Sequence, residues 1–253
     1  MHDCRCNRFS RLQEKISPWG PAKAGPDSMQ YETDTVEETF GSLTLRLEKI
    51  ASLDRAIDGM FEELSARGSA QMLDELCPYF GNVWPAARML ARWVAKNSQA
   101  FSGTRVLEVG CGLALPSFVA STFGAEVCAS DGHPDVPAFL KRNLALNPTC
   151  QVTYQHIDWR NPSACSSPFD WVVASDVLYE KYQAASLVSF LSTYLSPKGR
   201  AVIADPDRSY WNRFVVLARH AGFRVHHEPL AAERSGDPKN AVLIHVERLA
   251  HGE

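Results

Sequence analysis

Gly110-Cys111-Gly112 follows the apolar run Val106-Leu107-Glu108-Val109 and leads into Leu113-Ala114-Leu115-Pro116. A strand that runs into Gly-x-Gly and then a helix turns backbone amides and a helix N-terminus toward the strand's carboxyl end, where open parallel sheets bind ligands. Gly-x-Gly alone also marks a plain tight turn. Here it is joined by Asp131, roughly 20 residues on at the end of a second strand, where a carboxylate can grip both hydroxyls of a ribose. These features imply a nucleotide-type cofactor. The dinucleotide fingerprint wants a third glycine for close helix packing beside a pyrophosphate, and Leu115 stands in that place, followed by Pro116. Glu108 lies inside the strand end, where its charge would oppose a pyrophosphate. A zwitterionic methionine moiety suits the site better, its ammonium toward the acidic wall and its carboxylate toward the amides. The expected cofactor is therefore S-adenosyl-L-methionine rather than NAD.

The elements that position these groups follow Ser102-Gly103 as alternating short apolar runs and helical patterns, which predicts parallel βαβ units. Strands are expected at Arg105–Val109, Glu126–Ser130, Val152–His156, Trp171–Ser175, Ala201–Ala204, Arg224–Glu228 and Ala241–Val246. Helices are expected near Pro116–Phe123, Val136–Asn147, Tyr182–Tyr194 and Tyr210–Ala221. The last two strands have no helix between them and predict a terminal antiparallel hairpin. Upstream, Leu43–Leu47 alternates as a short strand. Leu53, Ile57, Met60, Phe61 and Leu64 then recur at helical spacing behind a Ser52 cap and ahead of Gly68. A second short helix through Met72 and Leu76 would stop at Pro78. An aromatic loop, Tyr79 to Trp84, reaches Pro85 in the first turn of a helix with the stripe Leu90, Ala91 and Val94. The fold class is α/β: seven strands, mostly parallel, helices on both faces, and an N-terminal helical extension. The expected division is a flexible tail over 1–28, an extension or lid over 29–84, and the main domain over 85–253.

Composition narrows the class. With 45% hydrophobic and 22% charged residues in 253, the chain has ordinary globular usage, which excludes a collagenous, coiled-coil or wholly disordered protein. A formal charge of -3 gives no pull toward nucleic acid or anionic membrane. No apolar run approaches the ~20 residues needed to span a bilayer. Seven scattered cysteines, an odd number, read as reduced thiols rather than a disulfide framework. A cytoplasmic monomer is expected. In the first segment, Arg5, Arg8, Arg11 and Lys15 are interrupted by Asp3 and Glu14, against a transit peptide. A tail, or an extension ahead of a start at Met29, fits better. His2, Cys4 and Cys6 lack a second ligand pair at finger-like spacing, so no metal is expected.

Glu108-Val109-Gly110-Cys111-Gly112 followed by Asp131 resembles the seven-β-strand, Rossmann-like methyltransferases. Val83-Trp84-Pro85, Leu113-Ala114-Leu115-Pro116, Phe139-Leu140-Lys141-Arg142-Asn143, Asp158-Trp159 and Ser175-Asp176-Val177-Leu178-Tyr179 narrow it further. In that order they resemble the Methyltransferase-16 family of non-histone protein-lysine methyltransferases, over about Tyr79 to Val246. The resemblance implies that Trp84, Gly110, Cys111, Gly112, Asp131, Trp159 and Ser175 line an S-adenosylmethionine pocket, with Asp131 on the ribose. Trp159 would lie level with the adenine, and Asp158 would accept its amino group. For each tryptophan core packing is the alternative, and Trp171, inside an apolar strand, is assigned to the core.

The resemblance also ties the acidic-x-x-aromatic motif, Asp176 to Tyr179, to the methyl acceptor. A lysine amine must lose its proton before it attacks, and with a reference pKa near 10.4 that costs about 4–5 kcal/mol at pH 7. Asp176 would orient the amine and Tyr179 would wall the channel with a π-face. The alternative is that Asp176 caps the next helix and Tyr179 packs beneath it. Asp205-Pro206-Asp207-Arg208, after the fifth strand, reaches the same crevice edge and reads equally as a turn. The expected activity is methylation of a protein lysine, releasing S-adenosyl-L-homocysteine. Arginine or histidine acceptors, a small amine, and a non-catalytic binding module remain as alternatives.

Overall fold

The computed structural model describes residues 31–249 except 70–71, 73–75, 160–161, 163–164 and 166. The expected tail, the Met29 start, the Cys4/Cys6 pair and most of the helix expected through Met72 and Leu76 lie outside these residues. The N-terminal extension is not helical alone. It begins as an antiparallel hairpin of β1 (Thr33–Phe40) and β2 (Leu43–Ile50). The expected strand at Leu43–Leu47 is part of β2. β1 carries no apolar alternation to announce it: in TDTVEETF only Glu38 and Phe40 are buried. The hairpin's free edge is closed by side chains. Asn143 accepts the Glu48 N–H at 2.6 Å and donates to the Glu48 carbonyl at 3.2 Å. Asn147 does the same for Arg46 at 3.0 and 2.7 Å. Two asparagines thereby supply what a third strand would, and backbone groups are rarely left unpaired when buried.

Helix α1 (Leu53–Ala66) follows, with the Ser52 hydroxyl accepting the Arg55 N–H and Gly68 in the left-handed region just past its end. Met60 and Leu64 are buried, whereas Phe61 is turned outward. A short 3₁₀ turn, Pro78–Gly81, leads to α2 (Pro85–Lys96), whose stripe of Leu90, Ala91 and Val94 is fully buried.

The main sheet has seven strands: β3 (Arg105–Val109), β4 (Glu126–Asp131), β5 (Val152–His156), β6 (Phe169–Ser175), β7 (Leu195–Asp205), β8 (Phe223–Pro229) and β9 (Val242–Arg248). Their order is β5-β4-β3-β6-β7-β9-β8, parallel except where β9 runs antiparallel between β7 and β8. Helices α3 (Leu115–Thr122), α4 (Val136–Leu146), α5 (Gln183–Tyr194) and α6 (Trp211–His220) connect them. The core is two apolar layers, one on each face. Strand residues bury on both sides because both are covered, which is why the strands read as continuous apolar runs. The hairpin's Phe40, Leu45, Leu47 and Ile50 join the layer under α2, α3 and α4.

The chain steps outward from β3 to β4 and β5, then returns to β6 on the other side of β3. That reversal opens a crevice at the carboxyl ends of β3 and β6, the usual ligand position in open α/β sheets.

Candidate active site

The crevice is lined by the turn after β3, the end of β4, Asp158 and Trp159 after β5, the loop after β6, and the segment Cys77–Trp84. Of the residues singled out from sequence, Trp84, Gly110, Cys111, Gly112, Asp131, Asp158, Trp159, Ser175, Asp176 and Tyr179 all line it. Glu108 does not.

The glycine turn is built by backbone strain that only glycine relieves. Gly110 and Gly112 have φ of 61° and 50°, where a side chain is rarely tolerated. A Cβ on Gly112 would meet the Phe80 carbonyl at 3.0 Å, and one on Gly110 would meet Val177 at 3.0 Å. The turn's amides are largely spent inside the fold, contrary to the expectation that they face a ligand. The Cys111 N–H donates to Ser130 O at 3.0 Å and the Ala114 N–H to Cys111 O at 2.7 Å. The Gly112 N–H donates to Asp131 Oδ2 at 2.9 Å.

Asp131 thus braces the turn as well as facing the crevice. Its other oxygen accepts the His133 N–H at 2.9 Å. Each carboxylate oxygen keeps a further lone pair for a ligand hydroxyl.

Glu108 is a correction to the expected acidic wall. It is buried beneath the turn, and one oxygen accepts both the backbone N–H and the hydroxyl of Ser117, at 3.0 and 2.5 Å. It thereby holds the first turn of α3. Burial pushes its carboxyl up to about 8, against which the two Ser117 bonds act only partly.

The walls are aromatic. Trp84 donates its indole N–H to Tyr79 O at 2.8 Å and meets the Tyr79 ring edge-on. Trp159 packs partly into the layer under α5. Trp171 is in the core as expected, bonded to Ala100 O and packed at a tilt of 33° against the Phe101 ring. The sequence reading missed His133, which is 8% exposed and lies 4.3 Å from Phe80 ring to ring. The Asp135 N–H donates to His133 Nδ1 at 3.1 Å, so Nε2 carries the proton and donates to Leu76 O at 3.0 Å. Burial lowers its pKa and keeps it neutral. Cys111 is a free thiol pushed well above its ordinary range, chiefly by burial.

At the other end of the crevice Asp176 follows β6 with φ of 56°. Its N–H donates to Ala204 O at 2.9 Å, which fixes this strained residue against β7. The helix-capping alternative does not hold. α5 starts at Gln183, and Gln183 Oε1 accepts the N–H groups of Tyr179 and Glu180, each at 2.7 Å. The Asp176 carboxylate instead takes two bonds from Arg208, Nε to Oδ1 at 2.8 Å and an Nη to Oδ2 at 3.0 Å. Arg208 arrives from the loop after β7, where its N–H donates to Asp205 Oδ1 at 2.6 Å. Asp205 is fully buried, its Oδ2 has no partner among the described residues, and burial pushes it up to about 6. Tyr179 is not packed under the helix: it and Tyr182 are 48% and 44% exposed at the rim.

The comparisons with known proteins meet this geometry. Residues 75–214, more than half of the chain and spanning every crevice segment above, match the lysine methyltransferase family. The chain belongs to that family. Among curated relatives of this lysine methyltransferase family member, the calmodulin-lysine N-methyltransferase of Arabidopsis thaliana is 31% identical over 135 residues, 49% of this chain and 44% of that one. The histone-arginine methyltransferase METTL23 of Mus musculus is 28% identical over 209 residues, 79% of this chain and 75% of the other. The chain spans about half the length of the first curated relatives it matches. In fold it is similar to the T. thermophilus 16S rRNA N2 G1207 methyltransferase in complex with AdoMet and guanosine. The TM-score is 0.58 at 14% identity, over 90% of this chain and 53% of that one.

Proposed function

We propose that the chain is an S-adenosylmethionine-dependent N-methyltransferase whose acceptor is a lysine side chain of a protein. The observation that carries the reading is one crevice with Asp131 beside the glycine turn at one end and Asp176 with its tyrosine rim at the other. The residues present suit the cofactor: carboxylates for ribose hydroxyls and amino groups, aromatic walls for a planar base, and, among the described residues, no basic side chain lining the crevice except neutral His133 to favour a pyrophosphate. Asp131 would hold the ribose. Trp159 and Asp158 would receive the adenine, and Trp84, Cys111 and Ser175 would close the walls. Glu108 would act from below by fixing the turn.

When bound, S-adenosylmethionine supplies an electrophilic methyl group on a positively charged sulfur. The chain's own task is to present a neutral amine in line with it. The lysine nitrogen lone pair forms the N–C bond as the C–S bond breaks, the bonding electrons remain on sulfur, and the methylated nitrogen, now an ammonium, gives its proton to water. Asp176 accepts a hydrogen bond from the amine and aims its lone pair. Tyr179 and Tyr182 would wall the aliphatic stem. Their exposure supports an acceptor presented from a protein surface over an enclosed small amine.

The family match and the lysine methyltransferases among the relatives support the lysine assignment. The longer alignment with a histone-arginine methyltransferase favours arginine as the second reading. Free thiols at Cys111, Cys128, Cys150 and Cys165 support a reducing compartment such as the cytoplasm.

The test is incubation with methyl-labelled S-adenosylmethionine and a cell extract, followed by acid hydrolysis of the protein fraction. Label in methyllysine is expected. Methylarginine would move the acceptor, and label confined to small molecules would overturn a protein acceptor. S-adenosylhomocysteine should raise Tm by binding the folded chain, and no rise at saturation would overturn the cofactor.

A further inference from the structure

A carboxylate alone beside an amine has the wrong effect for methyl transfer. It favours the ammonium, whose nitrogen has no lone pair to give. Asp176 is not alone. Both of its oxygens accept N–H groups of the Arg208 guanidinium, at 2.8 and 3.0 Å. Arg208 does not line the crevice whereas Asp176 does, so the guanidinium binds the carboxylate from the far side. The crevice-side lone pairs of Asp176 stay open to an acceptor. The pair is also fixed on both flanks: Asp176 is tied to β7 through Ala204, and Arg208 to the buried Asp205. Only 8% of the Asp176 side chain is exposed under its partner.

We propose that Arg208 is a positioning residue that acts through Asp176: the guanidinium cancels the carboxylate's charge, so that Asp176 aims the acceptor amine without holding it protonated. This rests on the methyltransferase reading above. The bidentate fork suits the task because it fixes direction as well as charge. Losing the ammonium proton to solvent then costs less. The lone pair so freed makes the N–C bond while the C–S electrons return to sulfur. The other titratable groups facing the pair are Asp205 on its own loop and Tyr179 on the loop after β6; Asp131, Glu180 and Tyr182 act in turn on Tyr179. Asp205 is pushed up to about 6 by burial, so the effect is read above pH 7.

The test compares wild type, Arg208→Gln and Arg208→Lys in two readouts. The first is the pH profile of label transfer from S-adenosylmethionine to the protein fraction of a cell extract. With the guanidinium gone, the profile of Arg208→Gln should move to higher pH by about one unit, and transfer at pH 7.5 should fall about tenfold and recover at pH 9.5. Arg208→Lys, which returns a charge without the fork, should restore most of the profile. The second readout needs no turnover: binding of n-butylamine, a lysine side-chain mimic, to the S-adenosylhomocysteine-loaded protein by NMR titration. Arg208→Gln should bind butylammonium several-fold more tightly at pH 7.5. A merely structural role would weaken binding and lower transfer equally at every pH. An unshifted profile, or unchanged or weaker butylamine binding, overturns the proposal. Arg208→Met, which keeps an apolar stem, carries the same expectations should Arg208→Gln fail to fold. A wild-type protein that labels nothing would sink the proposed activity, while the butylamine arm would still decide the role of Arg208.

Discussion

The two ends of the crevice are made differently. The centre of the cofactor end is one continuous piece of chain, with its aromatic walls added from other segments: a strand, a glycine turn, a helix, and a carboxylate one strand later that bonds back to the turn at 2.9 Å. The acceptor end is assembled from loops 32 residues apart, joined by the Asp176–Arg208 pair. Local strain holds the first, and a non-local ion pair holds the second. Under the function proposed above, the difference implies a division of labour in which the cofactor end binds and the acceptor end controls reaction.

Asp176→Asn should break that division most sharply. Asparagine tolerates a φ of 56° about as well as any residue with a side chain. The shape should survive while the charge is lost. Transfer should fall by roughly 10²-fold or more, the scale for a misaligned reactant when an orienting group is lost. S-adenosylhomocysteine affinity by calorimetry should stay near wild type. A matching loss of affinity would show that the two ends are one site.

Glu108→Gln sharpens the cofactor end. The folded carboxyl is raised to about 8 from an ordinary 4.5 by burial, so the folded state holds a proton that the unfolded chain releases. Stability from this group is therefore present at low pH and is lost as pH rises from about 4.5 through about 8. Glutamine is a permanent stand-in for the protonated form and still accepts from Ser117. Chemical denaturation should find the variant more stable than wild type by roughly 2–4 kcal/mol at pH 8.5, with little gain at pH 4.5. A variant that loses stability at pH 8.5 would mean that the ionised carboxylate, and not its neutral form, supports α3.

Asp131→Ala should come next. It removes the proposed ribose acceptor and also leaves the Gly112 and His133 N–H groups without their partner. Affinity for S-adenosylhomocysteine should drop by about 1–3 kcal/mol, and the apo protein should lose a similar amount of stability. Lost affinity with an unchanged Tm would leave the ribose role and remove the bracing one.

These contrasts also explain what the amino-acid sequence disclosed. Arg105–Val109 and Val152–His156 match their strands to the residue, because apolar runs and glycine punctuation act locally. Glycine turn, Asp131 and Asp176 were legible for the same reason. β1 was not, since its stability comes from pairing with β2 and from hairpin burial rather than from its own side chains. Arg208 was visible as a residue near the crevice edge, yet nothing in Asp205-Pro206-Asp207-Arg208 says that a guanidinium will fold back onto a carboxylate in another loop. Glu108 was placed correctly along the chain and wrongly in direction. Strand alternation gives a face, and only packing shows that Ser117 waits beneath it.

The smallest expected effect tests whether the cofactor end does any chemistry of its own. Cys111 lies between the two glycines, and a thiol in a ligand crevice invites a nucleophilic role. Its surroundings argue otherwise. Burial, together with the nearby Asp131 and Glu108 carboxyls, pushes the thiol well above its ordinary range, so little thiolate exists near neutral pH, and thiolate is the nucleophilic form. Among the described residues Sγ has one hydrogen-bond partner, the Gly112 carbonyl at 3.8 Å, which is an acceptor and no base for activation. What the place requires is a small side chain whose N–H reaches Ser130. Cys111→Ala keeps both features and gives up one buried sulfur, so it should cost about 1 kcal/mol of stability. Transfer should remain within about twofold of wild type, as expected for a residue that makes no interaction peculiar to the transition state. Wild type should likewise resist iodoacetamide at Cys111 while folded. A Cys111→Ala protein that binds S-adenosylhomocysteine normally but transfers nothing would place reaction chemistry at the cofactor end and end the division drawn here.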